Sequence, residues 1–537
     1  MPTPRASTRQ LARTARRLDE DVESLRPGQR EAMQAALEGD TLAVLATGLG
    51  KTLVYQVVAE RLGGATVVVS PTLSLQDDQV AALQESGARA GQLNSSRTKR
   101  QRERLLDDFE AGEVDFLLTT PEQLAGEELR RRLRDAGVGL VVVDEAHCVS
   151  SWGEDFRPDY AALGGAIEGL GRPRVLALTA TASPATRQEI VTSLGMPDAR
   201  VVVGDADREE IRLEVVDCRD ADDSDDRLVE MLAGDRPGST IVYVATRRRT
   251  EQVAARLVEA GLDAVAYHGG MSGKRREEVH RLFRDASGPL VVATSAFGLG
   301  VDRPDVRLVV HGDPTESLDQ YWQEAGRAGR DGEAARAVLL ARPDGYGLRR
   351  YFAAGAGATR DDLRSVVRAL SREPHRPGAV AKAAGLGTQR SRRALNALVR
   401  AGVVRELRAG VALDSPASAA VDAAAAFVEE LQQRRETAVT LVRRYAETTD
   451  CRRRLVLELL GEEHPERCGN CDNCAAGTAE ASEDRPFRIG AQVQHAEFGP
   501  GTVSSYEADR VVVLFGKAGY RTLDLDLVER DELLTEG

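Results

Sequence analysis

"TLAVLATGLGKT", residues 41–52, runs from an apolar stretch through a glycine turn into the helical pattern "LVYQVVAERL" of residues 53–62. Strand, glycine turn and helix in that order form the context a phosphate cradle requires, because backbone N–H groups at a helix N-terminus point at the anion. In this reading Thr47, Gly48 and Gly50 shape the turn, Lys51 reaches the β- and γ-phosphates of a nucleotide, and Thr52 ligates Mg2+. The strict pattern wants glycine where Leu45 stands, so a ligand-free glycine turn stays open until a second motif supports the first.

The second motif is "VVVDEAH", residues 141–147. A carboxylate at a strand's end is where Mg2+ coordination is expected, which assigns Asp144 to the metal and Glu145 to polarising the attacking water. "LTATAS" (178–183) and "QEAGRAGRDG" (323–332) complete a set, in which Arg327 and Arg330 are spaced to face a γ-phosphate across a cleft and stabilise its transition-state charge. Around these motifs, apolar runs such as "TVVVS", "GLVVVDEA", "TIVYVAT" and "RLVVHGD" alternate with helix-length segments as far as about Pro343. That alternation predicts parallel sheets covered on both faces. The acidic stretch "DCRDADDSDDR" (217–227) falls midway, so two α/β lobes are expected to meet near residue 207.

Composition narrows the class. The chain has 537 residues, 42% of them hydrophobic, enough for several cores. It lacks the run of about 18 apolar residues that would predict a membrane span. The basic start "MPTPRASTRQLARTARRLDED" has no apolar centre and reads as a tail or short helix, not a secretory signal. A net charge of −13 argues by itself against a nucleic-acid partner. Phosphate contacts need only a local basic track, however, and "RTKRQRER" (97–104), "RRR" (247–249), "KRR" (274–276) and "QRSRR" (389–393) supply such tracks. Of six cysteines, Cys451, Cys468, Cys471 and Cys474 cluster late in the chain. Four thiolates at that spacing suit a closed zinc site in a reducing cytoplasm, with an iron–sulfur cluster as the rival.

Behind the acids lies "DEAHCVSSWGEDFRPDY" (144–160), which in a chain only 4% aromatic places Trp152, Phe156 and Arg157 directly after the magnesium site. Bases stacked on aromatic side chains gain about 1–3 kcal/mol without sequence preference, so such a loop suits a grip on any strand. Buried aromatics are the alternative. Taken in order, "GLGKT", "DEAH", "TAT" and "QEAGRAGR" resemble the helicases of superfamily 2. "LRPGQREAM" (25–33) and "DEAHCVSSWGEDFRP" narrow the resemblance to the RecQ family of DNA helicases, over most of residues 20–345.

The resemblance implies a 3′-to-5′ motor with ATP between two RecA-like lobes. It puts Gln29 on the adenine with Arg26 nearby, makes Arg330 the arginine finger, and gives Arg327 and Gln323 supporting places in the nucleotide network. Trp152, Phe156 and Arg157 would contact single-stranded DNA or relay its presence to His147 and the magnesium site. The cysteine spacing after "YAETTDCRRRL" also resembles the family's zinc module, which favours structural Zn2+. Two positions depart from the family: Val22, where an aromatic usually stacks on adenine, and Glu154, often His.

The expected order is an N-terminal tail (1–20), RecA-like lobes (21–206 and 207–350), a winged-helix-like domain (355–413), a four-cysteine zinc module (427–476) and an SH3- or Tudor-like barrel (487–533). "DSPASAAVDAAAA" (414–426) reads as a linker entering another helix. Arg390, Arg392 and Arg393 are candidate contacts to duplex phosphates, although in the family a winged helix usually follows the zinc module and here it precedes. The barrel reads as a protein-docking module, with a DNA-contacting or purely structural barrel as the alternative. The expected protein is an ATP-dependent DNA helicase of repair or recombination. It would be a cytoplasmic, nucleoid-associated monomer acting on single-stranded and tailed or forked duplex DNA. An RNA-remodelling ATPase, or a DNA-docking adaptor or translocase using ATP as a switch, are the rivals.

Overall fold

A computed structural model describes residues 8–18, 25–46, 50–94, 97–149, 160, 162–204, 207–234, 238–298, 303–355, 357–407, 410–462, 467–479, 486–487, 491–507, 510–515 and 519–536. The first lobe holds seven strands: β1 (Thr41–Val44), β2 (Ala65–Val69), β3 (Ala90–Leu93), β4 (Phe116–Thr119), β5 (Val138–Val143), β6 (Arg174–Thr179) and β7 (Arg200–Val203). They pair in the order β3-β4-β2-β5-β6-β1-β7, every pair parallel. Residues of β1, β2 and β5 alternate between two separate cores, Val67, Val141 and Val143 on one face and Ala43, Val68 and Val142 on the other. This two-sided burial is why the strands read as unbroken apolar runs.

The crossovers bring β5, β6 and β1 side by side, so Asp144, Thr179 and the turn before Lys51 share one carboxyl edge of the sheet. Ligands of open parallel sheets bind beyond that edge. Of the two readings of the basic start, tail or short helix, residues Thr8–Leu18 take the second, with Leu11 and Ala15 fully buried in the first lobe. The basic residues dominate its composition, but two apolar positions four apart suffice to dock one helical face.

The second lobe repeats the plan with six strands: β8 (Ile211–Asp217), β9 (Ser239–Tyr243), β10 (Ala264–Tyr267), β11 (Leu290–Ala293), β12 (Val306–His311) and β13 (Ala335–Ala341). Their order is β10-β11-β9-β12-β13-β8, again wholly parallel. Both lobes and the cysteine segment, residues 443–490, form one compact unit.

Residues 344–442 and 491–537 form a second unit. Its first part has helices Arg360–Ala369, Pro377–Ala383 and Thr388–Arg400, followed by the antiparallel hairpin β14 (Val404–Leu407) and β15 (Gly410–Leu413). Three helices and a wing around Leu363, Val366, Leu395, Leu398 and Val411 make the winged-helix order expected from the sequence. The segment read as a linker entering a helix joins that helix earlier than expected: from Ala417 on it belongs to the 31-residue helix Ala417–Glu447, with Ala420 and Ala424 buried in that same core. Alanine is the strongest helix former, and small side chains allow close packing, so an alanine-rich stretch is not a flexible one here. The C-terminal part is a five-stranded antiparallel sheet, β16 (Gln492–His495), β17 (Gly499–Glu507), β18 (Arg510–Phe515), β19 (Gly519–Asp524) and β20 (Leu534–Glu536), in the order β19-β18-β17-β16-β20. No described helix is long and apolar enough to cross a membrane.

Candidate functional site

The phosphate turn ends at Gly50, whose φ of +62° is left-handed and which starts the helix Lys51–Leu62. A Cβ at Gly50 would lie 2.9 Å from Gln29 Nε2. Gln29 therefore packs directly on the turn, and its Oε1 accepts from the backbone N–H of Arg26 at 3.0 Å. The two motifs "RPGQ" and "GKT", far apart in sequence, thus make one wall. Thr47 and Gly48 lie outside the described residues, as does Val22; Lys51 and Thr52 are half-buried at the helix start.

Asp144 is buried beyond the end of β5, with Oδ2 accepting from Gln79 Nε2 at 2.6 Å and Oδ1 from the backbone N–H of Glu145 at 2.9 Å. Burial pushes its carboxyl above the usual range, the Glu145 charge adds to this, and Lys51 opposes it. A buried carboxylate that binds protons so readily suits a hard cation, and with Thr52 it would hold Mg2+, which neutralises phosphate charge. Burial alone would also raise Glu145, but Lys51, His147 and Arg327 outweigh it and hold this carboxyl below its usual range. Glu145 stays ionised, as a group that orients water must. Its backbone sits at φ +48°, a strained conformation of the kind functional sites retain.

His147 ties this site to the third motif. Its Nδ1 lies 3.0 Å from Thr179 Oγ1 and 3.3 Å from Glu145 Oε2. The Thr179 hydroxyl donates to Thr181 O at 3.0 Å, so its oxygen is left to accept, and the His147 proton resides on Nδ1. Cys148 is fully buried behind it. Trp152, Phe156 and Arg157 lie outside the described residues, between two buried positions. Val149 and Tyr160 are fully buried, and Tyr160 donates to the Asp144 carbonyl at 3.3 Å.

From the second lobe, Gln323 and Arg327 are buried and Arg330 is half-buried, in and just after the helix Leu318–Ala325. Arg327 is near enough to the first lobe to help hold Glu145 ionised.

The four cysteines converge from two segments. All four Sγ atoms lie within 4.8 Å of one another, and Cys468 and Cys474 Sγ are 3.9 Å apart. A Zn–S bond of about 2.3 Å implies tetrahedral edges of about 3.8 Å, so the cradle fits Zn2+. Backbone N–H groups of Cys468, Asn470 and Cys474 donate to Cys451, Cys468 and Cys471 Sγ at 3.3–3.4 Å, which favours thiolates. The knuckle also extends the second sheet, since Leu213 N–H donates to Asn470 O at 3.3 Å.

Family comparisons agree with this geometry. A DEAD/DEAH box helicase family matches residues 26–190, a helicase conserved C-terminal domain residues 223–332, and a RecQ zinc-binding family residues 421–475. The probable ATP-dependent DNA helicase RecS of Bacillus subtilis is 35% identical over 356 residues, 66% of this chain and 71% of that protein. The chain belongs to the RecQ family. The ATP-dependent DNA helicase RecQ of Pasteurella multocida is 39% identical over 325 residues, 60% of this chain and 51% of the relative, so the match spans about half that relative's length. Among solved structures, the Mycobacterium smegmatis helicase Lhr bound to ssDNA and AMP-PNP aligns with a TM-score of 0.51 at 23% identity. That alignment covers 80% of this chain and 62% of the other, and the likeness concerns the fold alone. Membership identifies the cysteine set as the RecQ zinc site and sets the iron–sulfur alternative aside.

Other residues of this RecQ-family chain take places the sequence did not announce. Gln79, on Asp144, and Asp319, whose Oδ1 accepts from the Ser183 N–H at 3.1 Å, were both missed. The one signal for Gln79 is a second glutamine, Gln76, one helical turn earlier and also buried. Arg390, a candidate contact to duplex phosphates, pairs with the buried Asp362 at 2.5 Å and so ties together the helices Arg360–Ala369 and Thr388–Arg400, with more than half of its side chain still exposed. Arg392 and Arg393 are exposed on the same helix.

Proposed function

We propose that this RecQ-family chain is an ATP-dependent DNA helicase that moves 3′-to-5′ on single-stranded DNA and unwinds tailed or forked duplexes. The observation that carries the reading is the cluster at the carboxyl edge of the first sheet: Lys51 at the start of its helix, Asp144 and Glu145 just beyond β5, and His147 reaching both Glu145 and Thr179. A nucleotide held by Lys51 would meet a metal-holding and a water-orienting carboxylate side by side. ATP would lie against Lys51, Thr52 and Gln29, Mg2+ on Thr52 and Asp144, and Arg330, supported by Arg327 and Gln323, would face the γ-phosphate. An arginine in that place is worth about 10³–10⁵ in rate.

Trp152, Phe156 and Arg157 are assigned to the DNA strand. In support, Tyr160, which follows them in sequence, donates to the Asp144 carbonyl, and His147, which precedes them, lies 3.3 Å from Glu145, so strand occupancy has a short path along the chain to the catalytic acids. Arg390, Arg392 and Arg393 are assigned to duplex phosphates, and the C-terminal sheet, as an SH3- or Tudor-like barrel, to a protein partner. Action as a cytoplasmic, nucleoid-associated monomer in repair or recombination completes the reading.

The test is steady-state ATP hydrolysis with and without single-stranded DNA, followed by strand displacement on 3′- and 5′-tailed duplexes. Stimulation by DNA, weakened in Trp152→Ala, and unwinding from the 3′ tail are expected. Equal rates with and without DNA would remove the coupling, and stimulation by RNA alone would move the reading to an RNA-remodelling ATPase.

A further inference from the structure

The segment before β8 is held by the cysteine module on one side and reaches the turn that presents Arg327 on the other. After the helix Leu318–Ala325 the chain turns tightly through Gly326, Arg327, Ala328 and Gly329. A helix end leaves carbonyl oxygens without intrahelical partners. Two of them, on either side of Arg327, are taken by one side chain: Arg208 Nη1 donates to Gly326 O at 2.7 Å and Nη2 to Ala328 O at 2.8 Å. Its third nitrogen, Nε, donates to Glu210 Oε1 at 2.5 Å. Glu210 closes the other side of the turn, since a Cβ at Gly329 would lie 2.9 Å from Glu210 Cγ. The planar guanidinium fork spans both carbonyls at once, which a lysine ammonium cannot do.

Arg208 is itself held. Asp207 Oδ1 accepts from the Arg208 backbone N–H at 2.7 Å and from Arg453 Nη1 at 3.1 Å. Arg453 is 1% exposed and also donates to the Ile211 carbonyl. It lies two residues after Cys451 in the helix that the cysteine set fixes. Asn470, within the cysteine knuckle, donates to the Glu209 carbonyl at 2.8 Å. The segment 207–211 is thus fastened at several points to the cysteine module and by one side chain to the Arg327 turn.

We propose that Arg208 is a positioning residue for Arg327, and that the cysteine module sets Arg208 in place through Arg453 and Asp207. The consequence for hydrolysis rests on the reading of Arg327 given above; the mechanical link does not. An arginine of the nucleotide network whose backbone is clamped on both sides is in place without first being ordered, and a misplacement of about 1 Å can cost roughly 100-fold in rate.

The experiment has one arm that needs no turnover. Hydrogen–deuterium exchange on the full chain reads the amides of Gly326 to Gly329, which are bonded to Trp322 O, Glu324 O, Ala325 O and Val306 O. Arg208→Lys and Arg208→Ala are expected to exchange these amides at least about tenfold faster while the first lobe stays as protected as in the wild type. Asp207→Asn, which leaves Arg208 itself in place, is expected to give the same pattern at smaller amplitude. Unchanged exchange in both Arg208 variants would overturn the clamp, and unchanged exchange in Asp207→Asn alone would remove the cysteine module from it. The second arm is ATP turnover. Arg208→Ala is expected to lower kcat roughly 10- to 100-fold with KM for ATP nearly constant, and to cost little further in an Arg327→Ala background. Additive losses in the double variant would overturn the positioning role. A wild type with no turnover would instead count against the helicase reading, with the exchange arm still deciding the clamp.

Discussion

The backbone N–H of Ser183, which begins the helix after "TAT" in the first lobe, donates to Asp319 Oδ1 of the second lobe at 3.1 Å. Asp319 precedes Arg327 by two helical turns, so the bond joins the strand end carrying Thr179 to the element that presents the arginines. Burial pushes the Asp319 carboxyl up, and the Ser183 N–H opposes this. A hydrogen bond to such a group is worth about 1.5–3 kcal/mol, enough to change the closed population tenfold or more. Asp319→Ala should therefore lower ATP turnover by about that factor with nucleotide affinity little changed. Parallel loss of affinity and turnover would place its role elsewhere.

Glu145→Gln removes the charge that Lys51, His147 and Arg327 stabilise while keeping the side chain's shape. Hydrolysis should fall by at least about 100-fold, the usual weight of a positioned acid–base group. Binding of a non-hydrolysable ATP analogue, measured by calorimetry, should persist.

Gly50→Ala acts twice at one point. The φ of +62° costs a non-glycine residue about 1–2 kcal/mol, and the new Cβ meets Gln29 Nε2 at 2.9 Å. Nucleotide affinity should drop roughly 10-fold or more. Because Gln29 is displaced, any preference for adenine over guanine nucleotides should narrow as well; an unchanged preference would separate Gln29 from base recognition.

Zinc should be present at one per chain, by the single set of four cysteines among the described residues. Its removal is expected to free the edge of the second sheet first. Leu213 N–H bonds to Asn470 O, and Val215 N–H to Asp472 Oδ2 at 2.8 Å, both within the cysteine module. Exchange at these two amides should rise on chelation before exchange in β9 or β12 does.

The Arg390–Asp362 strut predicts a pH dependence confined to the winged helix. Burial would raise Asp362, but Arg390 and the Thr359 hydrogen bonds hold it below the ordinary 3.8. A carboxyl lowered on folding contributes stability above its unfolded value and loses it as pH falls through the folded one. Arg390→Ala should cost about 1 kcal/mol near neutrality, since the arginine is half in solvent. In thermal unfolding followed against pH, the gap from wild type should close below about pH 3.8. A gap constant with pH would assign the loss to packing.

Much of this protein is legible one segment at a time. A phosphate turn needs glycine at a left-handed position before a helix, and "GLGKT" states that locally. Buried parallel strands need unbroken apolar runs, and four thiolates around one ion need short turns between them, so both lobes and the zinc site could be read directly. Burial was harder to read locally. Residues 414–426 read as a linker entering a helix, yet their alanines belong to the helix and its core from Ala417 on, and the basic first helix hides two buried positions.

The remaining relationships are set by tertiary structure, because each depends on which side chain fills a gap made by a distant segment. Crossovers set β5, β6 and β1 side by side, which lets His147 meet Thr179. Gln79 is one of two buried glutamines until the Asp144 oxygen stands 2.6 Å away. Arg390 and Arg208 are both arginines in basic or acidic surroundings. One becomes a strut because a buried carboxylate faces it, the other a clamp because a helix end leaves two carbonyls within its fork. Charge and residue type select the chemistry available; only packing decides which partner completes it.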